Sequence, residues 1–128
     1  MPRAFLLSVI LGLAGCTVGH PSTRPASVPA AFALADLDAD GSLDRNEWAQ
    51  ASAQLFLRLD GDRSGQLTPD EAIHPENVAA LDRNRDGVTT PDEFMLARER
   101  LFAYADLGGN KRLSLIEVER AGPVIWEF

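Results

Sequence analysis

The chain has few of the residues on which catalysis and cross-linking depend. It contains one cysteine, Cys16, which cannot form an internal disulfide bond, and two histidines, His20 and His74. Neither histidine lies in a recognisable triad context, no nucleophile-elbow motif surrounds a serine, and there is no glycine-rich phosphate loop. We therefore expect a protein that is not an enzyme, with His20 as an inert solvated residue and His74 at a helix boundary before Pro75.

Positive charge is also scarce. Lysine and arginine total 12 against 19 aspartates and glutamates, which gives a formal net charge of −7. This balance disfavours nucleic acid and anionic membrane surfaces as partners. The acidic residues fall in clusters instead of along a solvated face, which fits cation binding. With 128 residues, 45% of them hydrophobic, the chain can form a core in one domain or two very small ones.

The apolar run near the start of the chain is too short to span a membrane permanently. It covers Ala4 to Ala14, eleven residues, whereas a spanning helix needs about 20. Preceded by Arg3, the run is typical of a secretory signal. Its end, Leu13-Ala14-Gly15-Cys16, resembles the lipobox of bacterial lipoproteins. The resemblance implies cleavage before Cys16 and lipidation of that cysteine, and the alternative is a plain signal peptide with an incidental cysteine.

The same resemblance implies a domain order and a location. Residues 1–15 would be the lipoprotein signal peptide, residues 16–28 the lipidated cysteine and a flexible tether, and residues 29–128 the folded domain. The tether sequence TVGHPSTRPASV is rich in Pro, Ser and Thr and has no hydrophobic periodicity, and Pro29 suits the first turn of a helix. The residue after Cys16 is Thr17 and not an aspartate. By analogy with bacterial lipoproteins, this implies a location in the bacterial cell envelope, at the periplasmic face of the outer membrane.

One segment, Asp36 to Glu47, combines acidic residues with a glycine at regular places. Its sequence DLDADGSLDRNE has carboxylates at the first, third, fifth and twelfth places and Gly41 at the sixth. This pattern resembles the calcium loop of the EF-hand family, in which the glycine allows a sharp turn. The resemblance implies that Asp36, Asp38 and Asp40 each supply one side-chain oxygen and that Glu47 supplies two. It further implies that Ser42, the seventh residue, binds through its backbone carbonyl and that Asp44, the ninth, binds through a water.

Three further segments repeat the pattern at intervals of 22 to 24 residues. We call the four segments loops one to four: Asp36 to Glu47, DGDRSGQLTPDE from Asp60 to Glu71, DRNRDGVTTPDE from Asp82 to Glu93, and DLGGNKRLSLIE from Asp106 to Glu117. The resemblance implies ligands in loop two at Asp60, Asp62, Ser64, Gln66 and Glu71. In loop three it implies ligands at Asp82, Asn84, Asp86, Val88 and Glu93, with Gln66 and Val88 acting through their carbonyls.

Apolar residues recur at fixed places around the loops, where we expect them to form the core. Four residues before each loop stand Phe32, Phe56, Val78 and Phe102, and directly before it Ala35, Leu59, Leu81 and Ala105. Directly after the loops come Trp48, Ala72, Phe94 and Val118.

Loop four departs from the pattern. Gly108 offers no ligand at the third place, and Lys111 replaces the glycine at the sixth. A non-glycine residue strains the turn there, and the ammonium group lies near the cation position. Asp106, Asn110 and Glu117 remain as weak ligands. We therefore predict an EF-like structural turn without bound metal.

Spacing predicts how the repeats share their helices. The twelve residues from Trp48 to Leu59, without Gly or Pro, predict one helix that leaves loop one and enters loop two, and Phe94 to Ala105 predicts the same between loops three and four. Between loops two and three, Pro75 breaks the segment, which predicts two short helices, with Pro69 opening the first and loops two and three side by side. Loops one and four are then free to approach each other, and the eighth residue, Leu43 in loop one, is where loops pair as short strands.

These observations predict an all-α fold of tandem helix-loop-helix repeats, three full and one degenerate, with shared helices and short loop-pairing strands. The implied cofactor is Ca²⁺, with Mg²⁺ open at the weaker loops. One functional class is calcium buffering or a structural role at the envelope; the other is a sensor that exposes a surface for a protein partner. Met95 is the one methionine after the signal peptide, which favours the first class because target-binding sensors use Met-rich grooves. We expect the apolar tail, Val124, Ile125, Trp126 and Phe128, to pack on the core; the alternative is that it docks a partner.

Overall fold

The computed structural model describes residues 27–72, 74–122 and 125. Within them, the chain is mostly helical, with five helices and one two-stranded antiparallel sheet. In chain order the elements are α1 Val28–Ala35, β1 Ser42–Leu43, α2 Arg45–Leu59, α3 Pro75–Leu81, α4 Pro91–Ala105, β2 Leu113–Ser114 and α5 Leu115–Ala121. Each helix borders one or two of the four loops, and the two strands lie within loops one and four.

The two shared helices are confirmed. Helix α2 runs without interruption from loop one to loop two, and α4 from loop three to loop four. Each begins with a capping box, in which the N-cap residue and a glutamate three places later bond each other's backbone N–H groups: Asp44 with Glu47, and Thr90 with Glu93. The twelfth residue of each of these loops therefore also starts the next helix.

The pairing of the loops is confirmed as well. Strand β1 of loop one pairs with β2 of loop four, with Leu43 opposite Leu113. Loops two and three meet through a single bridge, in which Leu67 and Thr89 exchange two backbone hydrogen bonds of 2.9 and 2.8 Å. These four residues occupy the eighth places, and all are at most 1% exposed. Because the chain returns at Pro75, the outer loops meet each other and not their sequence neighbours.

Two hydrophobic clusters lie beneath the two loop pairs. The larger, under loops one and four, contains nine buried residues: Phe32, Ala35, Leu43, Trp48, Phe102, Ala105, Leu113, Val118 and Ile125. The smaller, under loops two and three, contains four: Leu55, Phe56, Leu67 and Phe94. An edge-to-face aromatic pair lies in each cluster, Trp48 with Phe102 and Phe56 with Phe94. The predicted core positions next to the loops are buried, except that Leu59, Ala72 and Leu81 are half-buried.

The prediction of two short helices between loops two and three is wrong for the first of them. Residues 69–71 form a turn, so Pro69 does not open a helix, and α3 is the one helix described between these loops. Pro75 occupies the first turn of α3 and His74 its N-cap, as expected. Only three residues separate loop two from Pro75, and the residue before proline is pushed out of the helical region, so too few residues are left to nucleate a helix.

The two ends of the domain lie close to their expected places. Helix α1 begins at Val28, one residue before the expected start of the fold, with Ser27 as its N-cap. Helix α5 ends at Ala121, with Gly122 as its C-cap, and Ile125 of the apolar tail is fully buried. Cys16, the signal segment, His20, Val124, Trp126 and Phe128 lie outside the described residues. None of the described helices has the length and apolar composition that crossing a membrane requires.

Candidate metal centre

All four loops are held by the same set of backbone hydrogen bonds. The first-place aspartate accepts the N–H groups of the fifth and sixth residues on its two oxygens, at 2.8–3.1 Å. The twelfth-place glutamate accepts the N–H of the second or third residue on Oε1 and that of the ninth on Oε2. These bonds use part of each carboxylate's accepting capacity and aim its remaining lone pairs. Hydrogen bonds to its own first- and twelfth-place carboxylates therefore hold each loop in its closed shape.

The backbone explains the glycine at the sixth place. In every loop the fourth and sixth residues have positive φ; the sixth-place values are 83°, 82° and 90° for Gly41, Gly65 and Gly87. In loop four the two kinds of residue change places, with Gly109 at the fourth place and Lys111, at φ 63°, at the sixth. The left-handed conformation costs a residue with a Cβ of the order of 1 kcal/mol. Loop four therefore keeps the turn, with the strain expected of Lys111.

Loop one brings three predicted ligands together. One carboxylate oxygen from each of Asp36, Asp38 and Asp40 lies within 4.8 Å of the other two. The pKa of Asp38 is raised, although the Asp40 N–H acts to lower it, because desolvation and the neighbouring carboxylates Asp40, Glu47 and Asp36 disfavour its charge. A bound cation would relieve this repulsion. The three oxygens form the first candidate site.

The other ligands predicted in loop one have second roles. Asp44 accepts the N–H groups of Asn46 and Glu47 as the N-cap of α2, so its carboxylate is engaged in capping. Glu47 is 6% exposed and lies outside the three-aspartate cluster, with its oxygens bonded to Leu37, Asp38 and Asp44. Ser42 lies in β1, and its hydroxyl donates to Asp40 Oδ1 at 2.7 Å.

Loop two forms the second acidic cluster. One oxygen each from Asp60, Asp62 and Glu71 lies within 4.8 Å of the other two. Asp60 is 5% exposed, which makes it the most deeply buried of these carboxylates. The Ser64 hydroxyl donates to the Gln66 carbonyl at 3.0 Å, so the fifth- and seventh-place oxygens are adjacent. This loop therefore combines its predicted ligands on one side of the turn.

Loop three has the same frame but, among the described residues, no group of three converging carboxylates. The third place holds Asn84, a neutral amide, whose nitrogen donates to Asp86 Oδ2 at 2.8 Å and whose oxygen accepts the Asp86 N–H. The pKa of Glu93 is lowered to about 2, chiefly by hydrogen bonds from the Thr90 backbone and hydroxyl and the Arg83 N–H. Val88 stands at the seventh place, beside the bridge residue Thr89. Asp82, Asp86 and Glu93 remain as charged oxygen donors.

Loop four closes like the others despite its altered sequence. Asp106 accepts the N–H groups of Asn110 and Lys111, and Glu117 accepts those of Gly108 and Ser114. The Asn110 side-chain oxygen accepts the Arg112 N–H at 2.9 Å. The two carboxylates of loop four, those of Asp106 and Glu117, belong to no acidic cluster within the described chain. The frame of the loop is complete while its set of charged ligands is not.

The oxygen-only composition of both clusters decides which metals fit. Carboxylates, carbonyls and hydroxyls are hard donors that suit Ca²⁺ and Mg²⁺, whereas zinc sites rely on cysteine and histidine. The clusters contain neither residue. The residues present therefore fit a hard divalent cation.

Two arginines near these loops were missed by the sequence interpretation. Arg112, at the seventh place of loop four, bonds Asp40 of loop one. Arg98 of α4 is fully buried, stacks 4.1 Å from the Trp48 ring centroid, and donates to the Ser52 hydroxyl and the Ile125 carbonyl. Burial lowers the pKa of Arg98 to about 9, so it stays charged at neutral pH. The signal for Arg98 was its place four residues after Phe94 and four before Phe102, on the apolar face.

Comparison with known families agrees with this geometry for loop one. A family model described as EF hand matches residues 30–51, which cover most of α1, loop one and the start of α2. The match supports an EF-hand domain. Together with the acidic clusters of loops one and two, the EF-hand match suggests binding of a divalent cation, calcium being the usual one for this family. No curated protein matches the chain significantly.

Proposed function

We propose that the protein is a non-enzymatic calcium-binding protein, with EF-hand sites in loops one, two and three. The observation that carries the proposal is the convergence of three carboxylate oxygens in loop one, inside the segment that matches the EF-hand family. Loops two and three share the hydrogen-bonded frame of loop one and add further acidic ligands. Their geometry supports treating all three as tandem sites.

Calcium fits these loops better than magnesium. Ca²⁺ takes six to eight oxygens in a flexible shell, and each loop offers side-chain oxygens, one carbonyl and a glutamate with two oxygens. Mg²⁺ demands near-ideal octahedral geometry and keeps several waters. Magnesium competes with calcium more strongly at loop three, which has an amide at its third place. Loop four acts as a structural turn that pairs with loop one.

We place this activity in the bacterial cell envelope, with lipid on Cys16 as the anchor and the Pro/Ser/Thr-rich segment as the tether. The lipobox-like sequence Leu13-Ala14-Gly15-Cys16 supports this part of the proposal. Outside the cytosol, sites with dissociation constants of about 10⁻⁴–10⁻³ M would still fill with calcium. Failure of Cys16 to take up labelled fatty acid in a bacterial host would contradict the anchor.

Calorimetric titration with calcium tests the metal proposal. We expect Asp38→Asn to weaken loop one about tenfold, since it removes one of three converging charges while keeping the shape of the side chain, and about 1.4 kcal/mol corresponds to that factor. Asp70→Asn is the matched control, because Asp70 is an exposed acid at the eleventh place of loop two, which is not a ligand position. Absence of calcium heat from the parent, or equal effects of the two variants, would refute the assignment of loop one.

A second function, that of a calcium sensor, is favoured by one surface feature. A groove of about 340 Å³ lies between α1 and α2, lined by Ala31, Leu34, Leu37, Ala51 and Arg58 among others. Leu34 and Leu37 are 68% and 61% exposed. A sensor would enlarge this apolar surface on binding calcium, whereas a buffer or structural protein would not. Binding of a hydrophobic-surface dye with and without calcium separates the two, and strong calcium-dependent dye binding favours the sensor.

A further inference from the structure

An arginine of loop four reaches into the acidic cluster of loop one. The Arg112 Nη1 group donates to Asp40 Oδ2 and, at 2.9 Å, to the Ser42 hydroxyl. Asp40 is one of the three aspartates whose oxygens converge. Its other oxygen, Oδ1, already accepts the N–H and the hydroxyl of Ser42. The guanidinium group therefore binds the carboxylate oxygen of Asp40 that is not used within its own loop.

Strand pairing puts the arginine in this position. Because β1 and β2 align Leu43 with Leu113 and Ser42 with Ser114, Arg112 lies one residue beyond the second strand, diagonal to Ser42. The diagonal distance is within reach of a long side chain. The position of Arg112 is thus a consequence of the pairing between the outer loops, and it persists as long as they are paired.

The inner loop pair provides an internal comparison. The seventh places of loops two and three are occupied by Gln66 and Val88, and neither side chain carries a charge. Within the part of the chain that the structure describes, the ion pair that joins two different loops is that between Arg112 and Asp40. The mutual electrostatic effect agrees with the contact: the pKa of Asp40 is lowered by the Ser42 hydroxyl and by Arg112, and the pKa of Arg112 is raised by Asp40.

We propose that Arg112 is an internal cation that competes with the metal for Asp40 and so lowers the affinity of loop one. The inference rests on the proposed function, since it concerns the regulation of the same site. Without metal, the guanidinium offsets part of the repulsion among Asp36, Asp38 and Asp40. With metal, it has to leave Asp40 or share it, at the cost of the contact and of repulsion between two cations. Loop four thereby regulates loop one without binding metal itself.

The test is an NMR titration in which the sixth-place backbone amide reports on each loop separately. The Gly41, Gly65 and Gly87 amides donate to Asp36, Asp60 and Asp82, so each is sensitive to a cation at its own loop. We expect Arg112→Gln to lower the calcium dissociation constant measured at Gly41 by about two- to fivefold, because an exposed ion pair makes a modest contribution. The constants at Gly65 and Gly87 should change less than about twofold, because they are distant and screened.

Lys111→Gln is the matched control. It removes the same charge from the neighbouring residue of the same loop, and no ion pair or side-chain hydrogen bond of Lys111 is described. We expect it to change the constant at Gly41 less than about twofold. Equal effects of the two variants, or weaker binding in Arg112→Gln, would overturn the role of Arg112 while leaving calcium binding intact. If none of the three glycine amides responds to calcium in either the parent or Arg112→Gln, the proposed function fails and the inference fails with it.

Discussion

The outer loop pair (loops one and four) and the inner loop pair (loops two and three) differ in how the two loops are held together and in the candidate ligands that they carry. Loops one and four share two paired strands and nine buried residues, although loop four has no ligand-type side chain at its third place. Loops two and three each carry a candidate ligand at the third place but meet through one bridge above four buried residues. The comparison suggests that apolar burial holds the outer pair together, whereas the inner pair would depend more on the metal that we propose to bind there.

The largest expected effect is a loss of stability, from a substitution beside the hydrophobic cluster under loops one and four. Arg98→Ala should reduce the free energy of unfolding by about 3 kcal/mol, since it leaves a cavity beside Trp48 and removes the donors to Ser52 and Ile125. Denaturant unfolding monitored by circular dichroism measures the change. Arg100→Ala is the control, because Arg100 is exposed on the same helix and should cost no more than about 0.5 kcal/mol. Equal losses would mean that the buried arginine contributes nothing to the outer pair.

Metal should change the inner pair more than the outer pair. In the metal-free protein we expect the amides of Leu67 and Thr89 to exchange with solvent faster than those of Leu43 and Leu113, because fewer buried contacts oppose local opening. Calcium at tenfold excess over the dissociation constant adds about 1.4 kcal/mol per site by linkage. Hydrogen-deuterium exchange with and without calcium measures both effects. A larger gain in protection at Leu43 and Leu113 would reverse the comparison.

The smallest expected effect is a change in how the stability of the protein depends on pH in acidic solution. The pKa of Glu93 in the folded protein is about 2, below the usual 4.5, because the Thr90 backbone and other donors favour its charged form. Its contribution to stability is therefore present above pH 4.5 and is lost as the pH falls from there towards 2. In calcium-free urea unfolding, Glu93→Gln should flatten this part of the pH dependence. Glu119→Gln, which changes an exposed glutamate, should leave the slope as in the parent.

The repeat itself could be predicted from the chain because its signals are local. Acidic residues at fixed places predict the loops, and the absence of Gly and Pro from Trp48 to Leu59 predicts one shared helix. Pro75 predicts the break that lets the outer loops meet. The helix expected at Pro69 did not form, since the proximity of Pro75 counted for more than the preference of proline for a first helical turn.

The sequence determined which oxygen donors each loop offers, because their spacing within twelve residues decides how a loop closes on itself. It also predicted the pairing of the loops, because Pro75 breaks the segment between loops two and three and leaves loops one and four free to approach each other. Only the tertiary structure revealed that Arg112 reaches Asp40 and that Arg98 is buried against Trp48. Both contacts join residues more than 45 positions apart, and their formation depends on how the helices pack and not on any local pattern.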